Sequence, residues 1–197
     1  LLIIGCMDTL SCNYNSEANN SDESCVYPQD GYDCDGNWNV QIGDIALGGI
    51  VFYVDETNQH GLISAMEDIG FYEWGCFGTE IFVVDGQAIG TGYQNTMDIV
   101  NQGCATQNGG ITAAQATLNY ETEGYTDWYL PSYMELTEMY YSISNEISQN
   151  GFTSNWYWSS SEYNGNKAWN VNFTPGTGNS DGSIKNYPIN VRPIRSF

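Results

Sequence analysis

Positive charge is what this chain has least of. Lys and Arg together number 4 against 24 Asp and Glu, with one His, for a formal charge of -20 over 197 residues. So few cations cannot neutralise a row of phosphates, which excludes nucleic acid as a partner. An anionic membrane surface is excluded for the same reason. No apolar run approaches the ~20 residues that span a bilayer, so no membrane insertion is expected. The lone His60 sits in the turn sequence Asn58-Gln59-His60-Gly61. A nucleophilic Ser or Cys therefore lacks its usual base. Zinc would need close Cys pairs or several His, and neither exists here. The pieces Gly90-Thr91-Gly92 and Gly176-Thr177-Gly178 lack the strand, helix and basic context of phosphate loops. The carboxylates fall in no recognisable acid–base motif. The expectation is a protein that is not an enzyme.

What is present points outside the cell. Aromatics make up 14% of the chain, with 6 Trp, 15 Tyr and 7 Phe, an apolar payload that argues against disorder despite the charge. Charged residues are only 14%, so the remaining polar surface is Asn, Ser, Thr, Gln and Gly. That mixture suits an extracellular protein in a cation-rich setting. The six cysteines, Cys6, Cys12, Cys25, Cys34, Cys76 and Cys104, are even in number and read as three disulfides. Cys76 and Cys104 stand alone in the second part of the chain and are expected to bond each other. Closing that loop contributes about 3–4 kcal/mol on the chain-entropy estimate. The first four are expected to pair among themselves, in an order the sequence does not choose.

The texture changes near residue 40, which divides the chain into 1–40 and 41–197. The segment from Cys12 to Cys25 has almost no aliphatic residues and cannot build a core, so cysteines or cations must hold it. The stretch Gly31-Tyr32-Asp33-Cys34-Asp35-Gly36-Asn37 reads two ways. It is a calcium loop with Asp33 and Asp35 as ligands and Asp22 or Asp8 helping, or an Asx-rich turn with solvated carboxylates. The opening Leu1-Leu2-Ile3-Ile4-Gly5-Cys6 reads as the end of a lipoprotein signal, as a first strand, or as an apolar tail that docks on a neighbouring subunit.

Beyond residue 43, Gly49–Val54 and Gly61–Ala65 read as a hairpin closed by a turn over Asp55 to His60. Helices are expected over Tyr93–Asn101, Ile111–Tyr120 and from Ser132 to about Ile147. The last opens on a Ser132/Glu135 capping box and buries Met134, Leu136, Met139, Tyr140 and Ile143. Asp127–Ser132, Trp156–Ser159, Ala168–Phe173 and Asn190–Ile194 read as strands, and 174–188 as a surface loop.

Two resemblances sit on these residues. Gly5–Asp8, Cys12–Tyr14, Asp22–Cys25 and Tyr32–Asn37 resemble a short cysteine-containing repeat of secreted marine Bacteroidetes-type proteins, with Trp38 where the repeat usually has its last Cys. Residues 46–197 resemble the Lcl C-terminal-domain-like family, related to C-type lectin and formylglycine-generating-enzyme folds. The matching pieces are Gly48–Val54, Trp74–Cys76, Gly90–Asp98, Asp127–Ser132, Glu135-Leu136, Met139-Tyr140, Trp158–Tyr163, Ala168-Trp169, Phe173 and Val191–Arg195. The resemblance implies an α+β, C-type lectin-like domain with two helices and small antiparallel sheets. It also implies an adhesin or surface binding module, in some members for sulfated glycosaminoglycans. Lys167, Lys185, Arg192 and Arg195 are too few for a polyanion, and the two arginines read as forks that tie the last strand to the sheet.

The function these readings favour is an extracellular binding or adhesion module on a bacterial cell surface. It would take a glycan or protein ligand through the loop-rich region 153–187. Trp158, Trp169 and Phe173 are expected in the core, leaving Trp156, Tyr163, Asn166 and Tyr187 for the ligand. The alternative is a structural subunit of an extracellular filament or sheath, a homopolymer assembled through Leu1–Ile4.

Overall fold

The computed structural model describes residues 1–81, 86–143, 151–178 and 180–197. The helix end expected near Ile147 lies outside them, as does Asn179. The chain forms two compact units, Leu1–Gln41 and Ile42–Phe197.

The first unit is held by cross-links. Cys6 and Ser11 are its only buried residues among those described. Cys6 bonds Cys25 and Cys12 bonds Cys34, so the two bridges interleave. With Cys6 in a disulfide, lipidation of its sulfur is excluded. A two-residue strand β1 (Ile4–Gly5) lies parallel to β2 (Asn20–Ser21). Trp38 takes part in an antiparallel bridge with Tyr32, and their rings stack at 4.4 Å. The indole thus closes this turn by stacking.

The second unit contains two sheets and three helices among the described residues. Strands β3 (Ile45–Ala46), β4 (Gly49–Val54) and β5 (Gly61–Ser64) join β11 (Ile194–Ser196) in the order β11-β5-β4-β3, all antiparallel. The β4–β5 turn closes as expected, with Asp55 Oδ1 accepting from the Thr57 amide and hydroxyl at 3.0 and 2.7 Å. The larger sheet runs β6 (Gly70–Tyr72), β10 (Ile189–Val191), β7 (Trp156–Asn164), β8 (Lys167–Asn172), β9 (Ser180–Ile184). In it β10 lies parallel to β7. The expected strand over 190–194 is two strands, because Pro193 has no N–H to continue a ladder. Asp127–Ser132 is not a strand. It makes a single bridge from Tyr129 to Ile194.

Successive strand residues face opposite ways, so Tyr157 and Trp158 bury the larger sheet on both sides. Tyr157 joins Phe52, Leu136, Met139, Val171 and Phe173 in one apolar cluster. Trp158 joins Trp74, Ile99, Leu130, Ala168 and Val191 in the other. Helices α1 (Gly92–Asn101) and α2 (Ala113–Leu118) supply residues to the second cluster, and α3 (Tyr133–Ile143) to the first. The Ser132/Glu135 capping box forms in both directions: Ser132 N donates to Glu135 Oε2 at 2.7 Å, and Glu135 N to Ser132 Oγ at 3.3 Å. The buried stripe of α3 differs at one place, where Met134 is exposed and Glu135 is buried. The carboxylate is taken inward to accept the Ser132 and Gly90 amides. Cys76–Cys104 closes as expected.

Candidate recognition surface

The β7–β8 hairpin presents the candidate site. Its turn is short because Asn164 Oδ1 accepts from both the Asn166 and Lys167 amides, at 2.9 and 3.0 Å. That closure lifts Tyr163 out at the strand end, where it is 50% exposed. Its ring meets Trp169 edge-on, with centroids 4.7 Å apart. Trp169 in turn lies against Tyr133 at 5.1 Å. The Tyr133 hydroxyl donates to Ser180 Oγ at 2.9 Å, which ties the start of α3 to β9. Gly182, opposite Trp169 in the β8–β9 ladder, leaves room for this: a side chain there would meet the Tyr163 ring at 3.1 Å. Three aromatic rings thus form a continuous strip, with two half-buried and one exposed.

This corrects two expectations. Trp169 is half-buried rather than core, because β8 turns it toward the N-terminal end of α3, where Tyr133 covers only part of it. The region 153–187 is mostly ladder rather than loop, and 180–184 is the outer strand β9. Trp158 and Phe173 are fully buried as expected.

Of the four residues expected to meet ligand, Trp156 lies apart from the other three, because Asn166 O accepts the Lys185 amide at 3.0 Å and so brings the turn carrying Tyr187 to the hairpin tip. Tyr163 and Asn166 flank the hairpin tip, both exposed. Trp156, half-buried, begins β7, seven residues from Tyr163, which is about 23 Å of extended strand. Tyr187 is 57% exposed in the turn after β9, beside Asn186, which donates to Gln107 Oε1 at 2.7 Å. Sequence reasoning missed Tyr133. Its signal was available, because Tyr133, Leu136 and Tyr140 share the i, i+3, i+7 face that packs on the sheet.

The cations are spoken for. Arg192 donates to Asp68 Oδ1, Ala65 O and Gly151 O, each at 2.7 Å, under the Phe152 ring. Arg195 forks onto both Asp127 oxygens at 2.7 and 3.0 Å and lies over Tyr125. Both thus fasten the last strands, as the sequence suggested. Lys185 is fully buried, donating to Glu162 and Thr79 O, with Trp74 alongside; burial holds its ammonium below the ordinary lysine value. Burial also pushes the Tyr157 phenol up to about 12, beside Asp68. Among the described residues only Lys167, at the hairpin, stands outside an ion pair.

At the Asp33–Asp35 loop, the Asp33 carboxylate is taken up by backbone amides. Asp33 Oδ1 accepts the Asp35 and Asn37 amides at 2.9 and 2.8 Å, the Asx-turn geometry. These bonds hold its carboxyl below the ordinary aspartate value. Among the described residues no three acidic, His or Cys side chains gather in a metal-holding group.

Residues 87–195 match the family model of the Lcl C-terminal domain. The pieces Gly48–Val54 and Trp74–Cys76 stand before that match. A crystal structure of a fimbrial protein from Bacteroides ovatus ATCC 8483 is similar with a TM-score of 0.54 at 16% identity, over 90% of this chain and 50% of that one. The chain therefore spans half the length of that neighbour, and the likeness is one of fold. No curated protein matches the chain. No helix among the described residues is long and apolar enough to cross a membrane.

Proposed function

Since the chain belongs to the Lcl C-terminal domain family, we propose that it is an extracellular adhesion module of a bacterial surface, with a C-type lectin-like second unit that takes a neutral glycan on the Tyr133–Trp169–Tyr163 strip. The observation that carries this is the strip itself: three rings in contact at 5.1 and 4.7 Å, anchored by strand and helix. Aromatic rings offer apolar faces to sugar C–H groups, while Asn164, Asn166 and Lys167 at the tip offer polar partners. A polyanion such as a sulfated glycosaminoglycan is disfavoured, since three of the four cations are locked in ion pairs within a field of -20. The test is a titration of neutral glycans and of heparin against wild type and Tyr163→Ala. Neutral-glycan binding that Tyr163→Ala weakens by about 1–3 kcal/mol supports the reading. Heparin binding in chelator at low salt, unaffected by Tyr163→Ala, refutes it.

A second reading, a filament subunit, is supported by the exposure of Leu1, Leu2, Ile4 and Leu10 on the first unit and by the fimbrial neighbour. It requires the chain to self-associate. A concentration-independent monomer by light scattering at about 10 μM and above rules out this second reading.

A further inference from the structure

The aromatic strip has a polar end. Lys167 and Trp169 are two residues apart on β8, so their side chains stand on the same side of the sheet. Gly182 lies opposite Trp169 in the ladder. At the place a Cβ of Gly182 would take, the Tyr163 ring stands at 3.1 Å and Lys167 Cδ at 3.4 Å. The Lys167 stem therefore runs beside the Tyr163 ring, across a position that glycine leaves open. Lys167 is half-buried there, and among the described residues its ammonium is in no ion pair. The hairpin thus adds one cation to the three rings.

The oxygens around it are already engaged. Asn164 Oδ1 accepts the Asn166 and Lys167 amides, and Ser180 Oγ accepts the Tyr133 hydroxyl. Glu162, opposite Ala168, stands on the other side of the sheet and accepts from Lys185 and the Ile81 amide. Asp181, next to Gly182, also alternates to that side, and its Oδ1 accepts the Gly182 amide at 2.7 Å. What this end of the strip offers is therefore a donor, since an ammonium has three N–H groups and no acceptor. A sugar hydroxyl donates as well as accepts, so it uses such a site only in part. A carboxylate accepts only, but the field of a -20 chain opposes it. An acetamido group meets both conditions: its carbonyl oxygen accepts, and its methyl group covers an aromatic face. Resting on the strip as the glycan site, we propose that Lys167 makes it selective for N-acetylated neutral sugars. The ammonium donates to the acetamido carbonyl while the methyl group packs on the Tyr163 ring.

The test is calorimetric titration of the intact protein with chitotriose, cellotriose and trigalacturonate. The first two share one backbone and differ in the acetamido group, and the third carries carboxylates. Wild type should bind chitotriose about fivefold or more tighter than cellotriose. Lys167→Met, which keeps the apolar stem, should bring the two affinities together, and Tyr163→Ala should weaken both. Circular dichroism checks that the variants fold, and the wild-type preference stands as a measurement that needs no variant. Equal affinities in wild type, or a preference that survives Lys167→Met, would overturn the role of Lys167 while Tyr163→Ala still reports on the strip. Tighter binding of trigalacturonate than of chitotriose would overturn it by giving the ammonium a carboxylate partner. No binding of either neutral sugar at about 10 mM would remove the strip as a glycan site, and this selectivity with it.

Discussion

At the scale of single residues, the decisive pair is Gly92 and Glu135. Gly92 opens α1, and a side chain on it would collide with the Glu135 carboxylate that caps α3. Gly92→Ala should therefore free the Ser132 and Gly90 amides from their acceptor and destabilise by about 2 kcal/mol or more, read by urea denaturation. Glu135 itself gives a pH signature. Burial pushes its carboxyl above the ordinary glutamate value, with the Ser132 and Gly90 amides pulling the other way. A raised folded pKa means the native state keeps a proton that the unfolded chain has released. The contribution is full below the unfolded value of 4.5 and is lost as pH rises through the folded one. Relative to Glu135→Gln, wild type should thus lose stability as pH rises above 4.5. A gap that instead grows in favour of wild type would contradict the assignment. Trp158 and Trp169 separate packing from recognition. Trp158→Ala, at a fully buried site, should cost about 3–5 kcal/mol of folding. Trp169→Ala should cost distinctly less and cut ligand affinity.

At the scale of elements, the cross-links carry what burial cannot. Removing Cys76–Cys104, which closes a separation of 28 residues, should cost about 3–4 kcal/mol while leaving the second unit folded on its two apolar clusters. Reducing Cys6–Cys25 and Cys12–Cys34 should unfold the first unit outright, since only Cys6 and Ser11 are buried there. Amide hydrogen exchange with and without reductant distinguishes the two. The elements legible in the sequence were those with a local cause. The β4–β5 hairpin has its β-branched run and Asp55 turn, α1 and α2 their composition, and α3 its cap. Strand β9 was not legible, because Ser180-Asp181-Gly182-Ser183 has turn chemistry and becomes a strand only by pairing with β8. For the same reason the strip was seen in part. Tyr163 carries its exposure in the hairpin sequence, whereas Trp169 and Tyr133 meet only once α3 packs on the sheet. Trp156 looked equivalent to Tyr163 because proximity along the chain says nothing of the length of the strand between them.

At the scale of the whole molecule, charge decides the kind of partner. With -20 overall and three of the four cations internal, the chain repels polyanions, and salt should leave its binding to a neutral glycan unchanged. The Asx turn at Asp33 holds its loop by its own amides, so melting curves with and without chelator should coincide. A chelator-dependent fall that Asp35→Ala abolishes would show a calcium loop instead. The central claim is that the Tyr133–Trp169–Tyr163 strip receives the ligand. It is tested most directly by following the six indole N–H signals by NMR while a panel of neutral glycans is titrated to about 10 mM. The account predicts that the Trp169 signal moves while Trp156, at the far end of β7, and the buried Trp74, Trp128 and Trp158 stay in place. A response confined to Trp156, or six unmoved signals across the panel, would contradict it.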